Sequence, residues 1–437
     1  MPLRSFWLLF KKDCRELAAS RAFWLMLIFV GLLVGQGFTT AVRLYSEMSG
    51  GGNGPAALSQ GLTPLDGILV PTWGAYDLAA TLLFPFVAIR LIAAEKESGA
   101  LKLLLQLPGS LLTKLSAKGL ALIFAWMVSW IPGIAAIVLW KSYGGHVYGP
   151  ETLNLLFGHL LRGLLASGFA VAAAAIAETA ASAAIVTLGF TVGTWALDFV
   201  AAGRGGLLQQ LATYTPTAAL RTFEHGLLRL NIVAVILIVS VAGFVLAAIW
   251  LHPGRTRRQQ AVWTSLLLAV MVTLSIGATK LRASWDKSEN HRNSFSSVDE
   301  QLLKTIKSPL TITVYLSPED PRLTDYEQNV LQKLRRLRPD LHVEYAAGSR
   351  TGLFENASDH YGEIWYEMNG QKAMERSTIE QVVLDQIYSL ANISPPARPD
   401  ESDFPGYPLN AQPKHVALLF YLVWPILVVL IWWLIRH

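Results

Sequence analysis

Side chains capable of chemistry are sparse in this 437-residue chain, and their arrangement excludes more than it offers. Cys14 is the single cysteine, which rules out an intrachain disulfide, a Cys-x-x-Cys redox pair and a thiolate zinc cluster. The nine histidines are scattered without metal-ligand spacing. Ser98 and Ser317 lack any arrangement of bases that would make either a nucleophile. No G-x-x-x-x-G-K-S/T occurs, and there is no Gly-Lys pair at all, so the chain has no phosphate-cradling loop of its own. What remains is a set of ionisable residues in or beside long apolar stretches: Asp77, Arg90, His159, Arg162, Glu178 and Asp198. Charge is expensive inside lipid, so such residues mark substrate paths by default. Most of them lie near span ends, where snorkelling and interfacial solvation are the plainer explanation. His159 and Arg162 lie about one helical turn apart and, with Asp198, are the candidates for lining a translocation path.

A second kind of chemistry is docking. Residues 94–110 read Ala-Glu-Lys-Glu-Ser-Gly-Ala-Leu-Lys-Leu-Leu-Leu-Gln-Leu-Pro-Gly-Ser, followed by Lys114 and Lys118. This predicts a short amphipathic helix with Glu95 and Glu97 at its start, broken by Pro108 and Gly109. Such a helix suits a partner that grips helices in a groove; the same periodicity fits an interfacial helix with no partner.

The elements that position these residues are set by hydropathy. With 52% hydrophobic residues, 15% charged residues and a mean hydropathy of +0.39, the chain falls well short of the roughly 25% charge of soluble domains. An ordinary soluble enzyme is excluded. Stretches long enough to cross a bilayer run over 22–42, 72–93, 118–140, 155–177, 181–202, 230–251, 261–281 and 415–435. The first has too long an apolar core, and no cleavage site, for a removed leader. The net charge of +5 reports topology rather than nucleic acid, because Lys and Arg collect in cytoplasmic loops. Those loops are the amino-terminal segment (Arg4, Lys11, Lys12, Arg15, Arg21), the segment after the second span, and Arg255, Arg257 and Arg258. Both termini are therefore expected in the cytoplasm, with 282–413 outside. Trp140, Trp250, Trp432 and Trp433 fit interfacial anchors.

Residues 1–21 read as an amphipathic connector helix, with Phe6, Trp7, Leu9 and Phe10 toward lipid and the charged residues toward headgroups. Residues 22–251 form a six-span unit whose fourth and fifth spans are rich in Ala, Gly and Ser, the composition of close helix packing. The order in 282–394 is strand (310–316), helix (323–337), strand (341–345), a hairpin turning at Asn369-Gly370, and a helix capped by Ser377 or Thr378. This β-α-β, hairpin, α order resembles a thioredoxin-like layer, without the cysteines for thiol exchange. The basic run Lys333 to Arg338 reads as a solvated helix face. A Pro-rich linker (395–413) leads to the last span, 414–437.

Glu97-Ser98-Gly99-Ala100, the leucine run, Leu107-Pro108 and Lys118-Gly119 resemble the E-x-G-T…L-P…G-K loop of ABC-2 type transporter permeases, with Ala100 for Thr and the last pair reversed. The resemblance covers about 1–251. The segment Leu303 to Asp320 is similar to the opening of the external domain in gliding-motility-type auxiliary components of such transporters, which covers 261–437. The resemblance implies a polytopic membrane protein of about eight helices: a six-helix ABC-2 type bundle plus two, with the α/β layer between the last two spans. It implies a coupling helix at 95–110, with Glu95, Glu97, Ser98, Gly99, Leu107 and Pro108 as ATPase-coupling residues. It also implies two copies of a separate cytoplasmic ATPase that carries ATP and Mg, a second permease chain, and export across a bacterial inner membrane. A periplasmic partner or substrate would meet the external domain. No catalytic residue, metal or cofactor is expected in the chain itself, and no nucleic acid.

Overall fold

The computed structural model describes residues 2–51, 62–106, 109–201, 212, 214–317, 320–338, 340–346, 360–396 and 404–436. Eight helices in it are long and apolar enough to cross a membrane: Arg21–Gly50, Leu65–Glu97, Leu111–Ser142, Gly149–Ile176, Ala180–Asp198, Leu230–Leu251, Arg257–Thr279 and Leu418–Arg436. They are the first to eighth spans below. Ala177 is extended and ends the fourth before Ala180 opens the fifth, so these are two separate helices.

The third span begins at Leu111, ahead of the expected 118, because Lys114 and Lys118 lie within it rather than in a loop. Their charges do not end the helix, since both ammonium groups find acceptors inside the protein: Leu105 O at 3.3 Å for Lys114 and Leu91 O at 2.9 Å for Lys118. Trp140 is no interfacial anchor. It is fully buried and donates its indole hydrogen to His146 O at 2.9 Å.

The fourth span is central: 67% of its most apolar window is buried, against 6% in the seventh span and 11% in the eighth. Its small residues, Ser167, Gly168 and Ala170 to Ala175, are buried. They let the sixth span approach so closely that a Cβ on Gly168 would meet Ser240 O at 2.6 Å, and one on Gly243 would meet Gly168 O at 2.6 Å. The fifth span, equally rich in small residues, is mostly exposed, with Ile185 and Trp195 outward.

At one end of the bundle, α1 (Pro2–Ala19) precedes the first span, and the second span ends in α2 (Arg90–Glu97), followed by α3 (Ala100–Gln106). This is the terminal face; the opposite end is the domain face. There, α4 (Pro216–Glu224) leads into β1 (Leu227–Arg229), which pairs antiparallel with β2 (Ser284–Asp286), just after the seventh span. Beyond it come α5 (Ser297–Thr305), β3 (Thr311–Val314), the helical stretch α6 (321–337), β4 (His342–Tyr345), β5 (Ile364–Met368), β6 (Gln371–Glu375) and α7 (Glu380–Leu390). The sheet order is β4-β3-β5-β6, with β3 and β4 parallel and the other pairs antiparallel. Asn369 and Gly370 both take positive φ, 54° and 75°, as a tight hairpin turn requires. Its core, including Leu310, Ile312, Val330, Leu334, Tyr366 and Ile387, is separate from that of the bundle.

Three local expectations change. The cap of α7 is Ile379, and Ser377 instead accepts a hydrogen bond from Ile379 N at 3.2 Å. The helix α5, capped by Ser296 through Asp299 N, has no counterpart in the sequence reading. The basic run is not a solvated face. Lys333 pairs with Glu380 at 2.7 Å, Arg336 with Glu300 and Arg338 with Asp340, and Arg338 is 2% exposed.

The domain is rooted on the bundle by more than its two flanking spans. Arg292 pairs with Asp66 at the start of the second span. Glu289 accepts from the Tyr407 hydroxyl at 2.6 Å and lies 3.0 Å from the His146 ring, which stacks on Tyr407 at 3.7 Å. The Ser46 hydroxyl bonds Ala411 O at 2.7 Å.

Replacing Gly168 with leucine should drive the fourth and sixth spans apart, because a backbone carbonyl cannot swing aside as a side chain does. We expect a loss of about 1–3 kcal/mol in detergent unfolding, whereas Leu at Gly189, which meets nothing within 4 Å, should leave the unfolding curve in place.

Candidate functional site

The terminal face carries a cluster of charges from three elements. Lys118 of the third span reaches Asp13 Oδ1 of α1 at 3.1 Å and Glu95 Oε1 of α2 at 2.9 Å. Lys12, one residue before Asp13, closes the group by pairing with Glu95. Asp13, Glu95 and Lys118 are 1%, 4% and 2% exposed, so water does not share the work. Burial raises the Asp13 carboxyl above its ordinary range, against the pull of Lys118 and Lys12. Burial also works against the Lys12 ammonium, but the hydrogen bond and charge of Glu95 prevail and it is pushed up to about 12. Asp13, Glu16 and Glu95 bring carboxylate oxygens within 4.8 Å of one another, a spacing that suits a cation. The Lys12 and Lys118 ammonium groups already supply that positive charge, so the cluster is an ion-pair network rather than a metal centre.

The expected coupling residues sit around this cluster in distinct roles. Glu95 and Glu97 do not start a helix: they end α2, where the backbone dipole disfavours them. Glu95 is buried by its two lysines, so it anchors the segment and presents nothing to a partner. Glu97 is exposed and accepts from Ala180 N at 3.1 Å, a favourable place for a carboxylate at the start of the fifth span. Lys96 caps the other helix of that junction through Ala175 O at 3.2 Å. The Ser98 hydroxyl bonds Glu95 O at 3.3 Å, and Gly99 takes φ +75°, which turns the chain into α3. The segment expected as one helix over 95–110 is therefore the end of α2, a turn and α3. Leu101 packs inward, while Lys102, Leu103 and Gln106 face out and Leu103 is 68% exposed. Leu107 and Pro108 lie outside the described residues.

Of the proposed path residues, His159 and Arg162 are both buried on the fourth span, one turn apart. Arg162 pairs with Asp77 of the second span and donates to the Thr81 hydroxyl at 2.8 Å. It borders a small, mostly apolar cavity lined with Trp126, Leu165, Phe190 and Thr194. His159 is fully buried between Trp73 and Tyr76, with ring centroids at 4.9 and 5.5 Å. Asp198 is at the domain face, paired with Arg221 at 3.0 Å. Sequence reasoning missed Lys12 and Lys118 as partners of Glu95, Asp13 as the second carboxylate on Lys118, and Asp77 as the partner of Arg162. Asp77, Arg162 and Lys118 offered a signal, a charge in an apolar setting that demands a partner without naming it, whereas Lys12, Asp13 and Glu95 lie in charged runs and offered none.

Comparison with protein-family models, with curated proteins and with solved structures gives no match.

Replacing Lys118 with methionine should leave Asp13 and Glu95 facing each other without their shared cation. The expected loss is about 3–5 kcal/mol in unfolding of the full chain. Adding Asp13→Asn and Glu95→Gln to Lys118→Met should return most of it, and a triple variant no better than the single one would contradict the network.

Proposed function

We propose that this chain is the transmembrane permease subunit of an ABC-2 type exporter. A separate cytoplasmic ATPase, two copies per transporter, docks on the turn and α3 and is the site of ATP hydrolysis; a second permease chain completes the assembly. The observation that carries the reading is the mechanical continuity of the second span. It runs 33 residues from Leu65 to Glu97, about 50 Å at helical rise, with a break only at Ile89. One end is clamped by Lys118 and Lys12 at Glu95 beside the exposed Leu103, the middle is tied to the fourth span through Asp77 and Arg162, and the far end meets the domain through Asp66 and Arg292. Force applied at the docking segment would therefore reach both the bundle and the domain as a rigid-body shift between two packings.

The expected sides follow from the basic loops: both termini and the docking segment in the cytoplasm of a bacterial cell, with 282–413 in the periplasm. The strand order, a parallel β-α-β pair extended by a hairpin, supports a thioredoxin-like reading of the external layer. We read that layer as a recruiting surface for substrate or partner.

A second reading is favoured by the ties between domain and bundle. Glu289, Arg292, Tyr407 and the β1–β2 ribbon would make the domain follow the spans, so the machine could act mechanically on an outside partner with no solute crossing. Nucleotide-dependent solute flux in vesicles separates the two readings.

In a reconstituted complex with its ATPase, Gly99→Val should lower stimulated ATP hydrolysis at least tenfold, because valine resists the positive φ of the turn. Glu97→Gln should lower it less. Membrane insertion should be unchanged in both, and wild-type hydrolysis rates would count against the docking role.

A further inference from the structure

The domain face holds a cleft of about 710 Å³ between the bundle and the α/β layer, and its charge is unbalanced. Five arginines line it: Arg221, Arg229, Arg282, Arg335 and Arg336. The opposing carboxylates are fewer and mostly engaged. Asp198 is taken by Arg221, Glu300 stands behind Arg336, and Glu327 accepts from the Tyr345 hydroxyl at 2.6 Å. Arg229 and Arg282 have no carboxylate partner among the described residues.

Arg229 is the telling residue. It is half-buried in β1, fixed by its pairing with Ser284. Burial holds its guanidinium below the ordinary arginine range; Tyr214 offsets this in part, while Arg336 and Arg335 add repulsion to it. A folded protein that keeps like charges in a partly desolvated cleft has an unsatisfied demand for an anion. Guanidinium forks meet phosphate oxygens two at a time, which makes phosphate the best-matched anion. The rest of the lining is mixed: polar side chains such as His225, Asn231 and Asn293 stand beside an apolar strip of Leu227, Ile232 and Leu281, at the level where the sixth span begins and the seventh ends.

We propose that this cleft is a binding site for a phosphate group, with Arg229, Arg282 and Arg335 as its ligands. The phosphate is carried either by an amphiphile whose chain leaves along the strip of Leu227, Ile232 and Leu281 or by a free phosphate compound. The site is independent of the transporter reading, since binding needs no ATPase and no particular sidedness.

The test uses the full chain in an uncharged detergent, titrated calorimetrically with dioctanoyl phosphatidylglycerol, dioctanoyl phosphatidylcholine and inorganic pyrophosphate. We expect phosphatidylglycerol to bind at least tenfold more tightly than phosphatidylcholine. Arg229→Gln and Arg282→Gln should each weaken it at least fivefold, and Arg229→Lys should weaken it less. Gel-filtration profile and melting temperature are followed for every variant, so that a misfolded protein is recognised and replaced by the Arg282 or Arg335 substitution. Tight binding of pyrophosphate alone, abolished by the same variants, would support the site and identify its ligand as a free phosphate compound. The proposal is overturned if neither of the anionic ligands, phosphatidylglycerol or pyrophosphate, binds better than zwitterionic phosphatidylcholine, whose phosphate is neutralised by its own choline, or if well-folded Arg229→Gln and Arg282→Gln proteins bind as the parent does.

Discussion

One lysine ammonium between two buried carboxylates organises the terminal face. Lys118 could not enter an apolar interior alone, and neither could Asp13 or Glu95; each is tolerable only because the others are there. Because they come from α1, α2 and the third span, satisfying them fixes where three elements meet. The network is worth little as net stability, since desolvation consumes most of the Coulomb gain, but it is costly to break. That asymmetry makes it a register device. The connector helix cannot slide, and α2 cannot rotate, without leaving a charge unpaired in a poorly hydrated place.

The rest of the molecule extends that constraint across the bundle. The fourth span supplies a centre of small residues against which the sixth packs backbone to backbone at Gly168 and Gly243. The second span, pinned at Glu95, crosses beside it with Asp77 held by Arg162 and arrives at the domain face near Asp66. There the β1–β2 ribbon, Glu289 and Tyr407 tie the α/β layer to the same helices. The peripheral seventh and eighth spans bury little of themselves, so the domain's position owes more to these polar ties than to its flanking helices.

Much of this was legible in the sequence because it is local. Eight apolar stretches announce eight spans, since a run of about 20 apolar residues has few other uses. Asn369-Gly370 announces its hairpin, because both residues accept positive φ. Pairing between distant positions was not legible. Nothing near Lys118 in sequence says that its partner is Asp13, more than a hundred residues earlier, and so hydropathy starts the third span no earlier than Lys118. The run from Lys333 to Arg338 looked solvated for the same reason: Glu380 and Glu300 reach Lys333 and Arg336 only once the layer has folded, although Asp340, the partner of Arg338, is two residues away. For residues 95–106, periodicity gives the helical character, but Gly99 divides the segment, and Glu95 faces inward toward a helix that sequence places on the membrane surface.

The central claim is that the exposed turn and α3 are gripped by a nucleotide-driven subunit on the side of the termini. The most direct measurement is cross-linking from Leu103→Cys in a Cys14→Ser background, in native membranes. The account predicts a specific adduct between this position and a cytoplasmic ATPase chain, with no labelling of the cysteine by a membrane-impermeant thiol reagent added to intact cells. Labelling from outside, or the absence of any ATPase adduct when the thiol is fully reactive in opened vesicles, would contradict it.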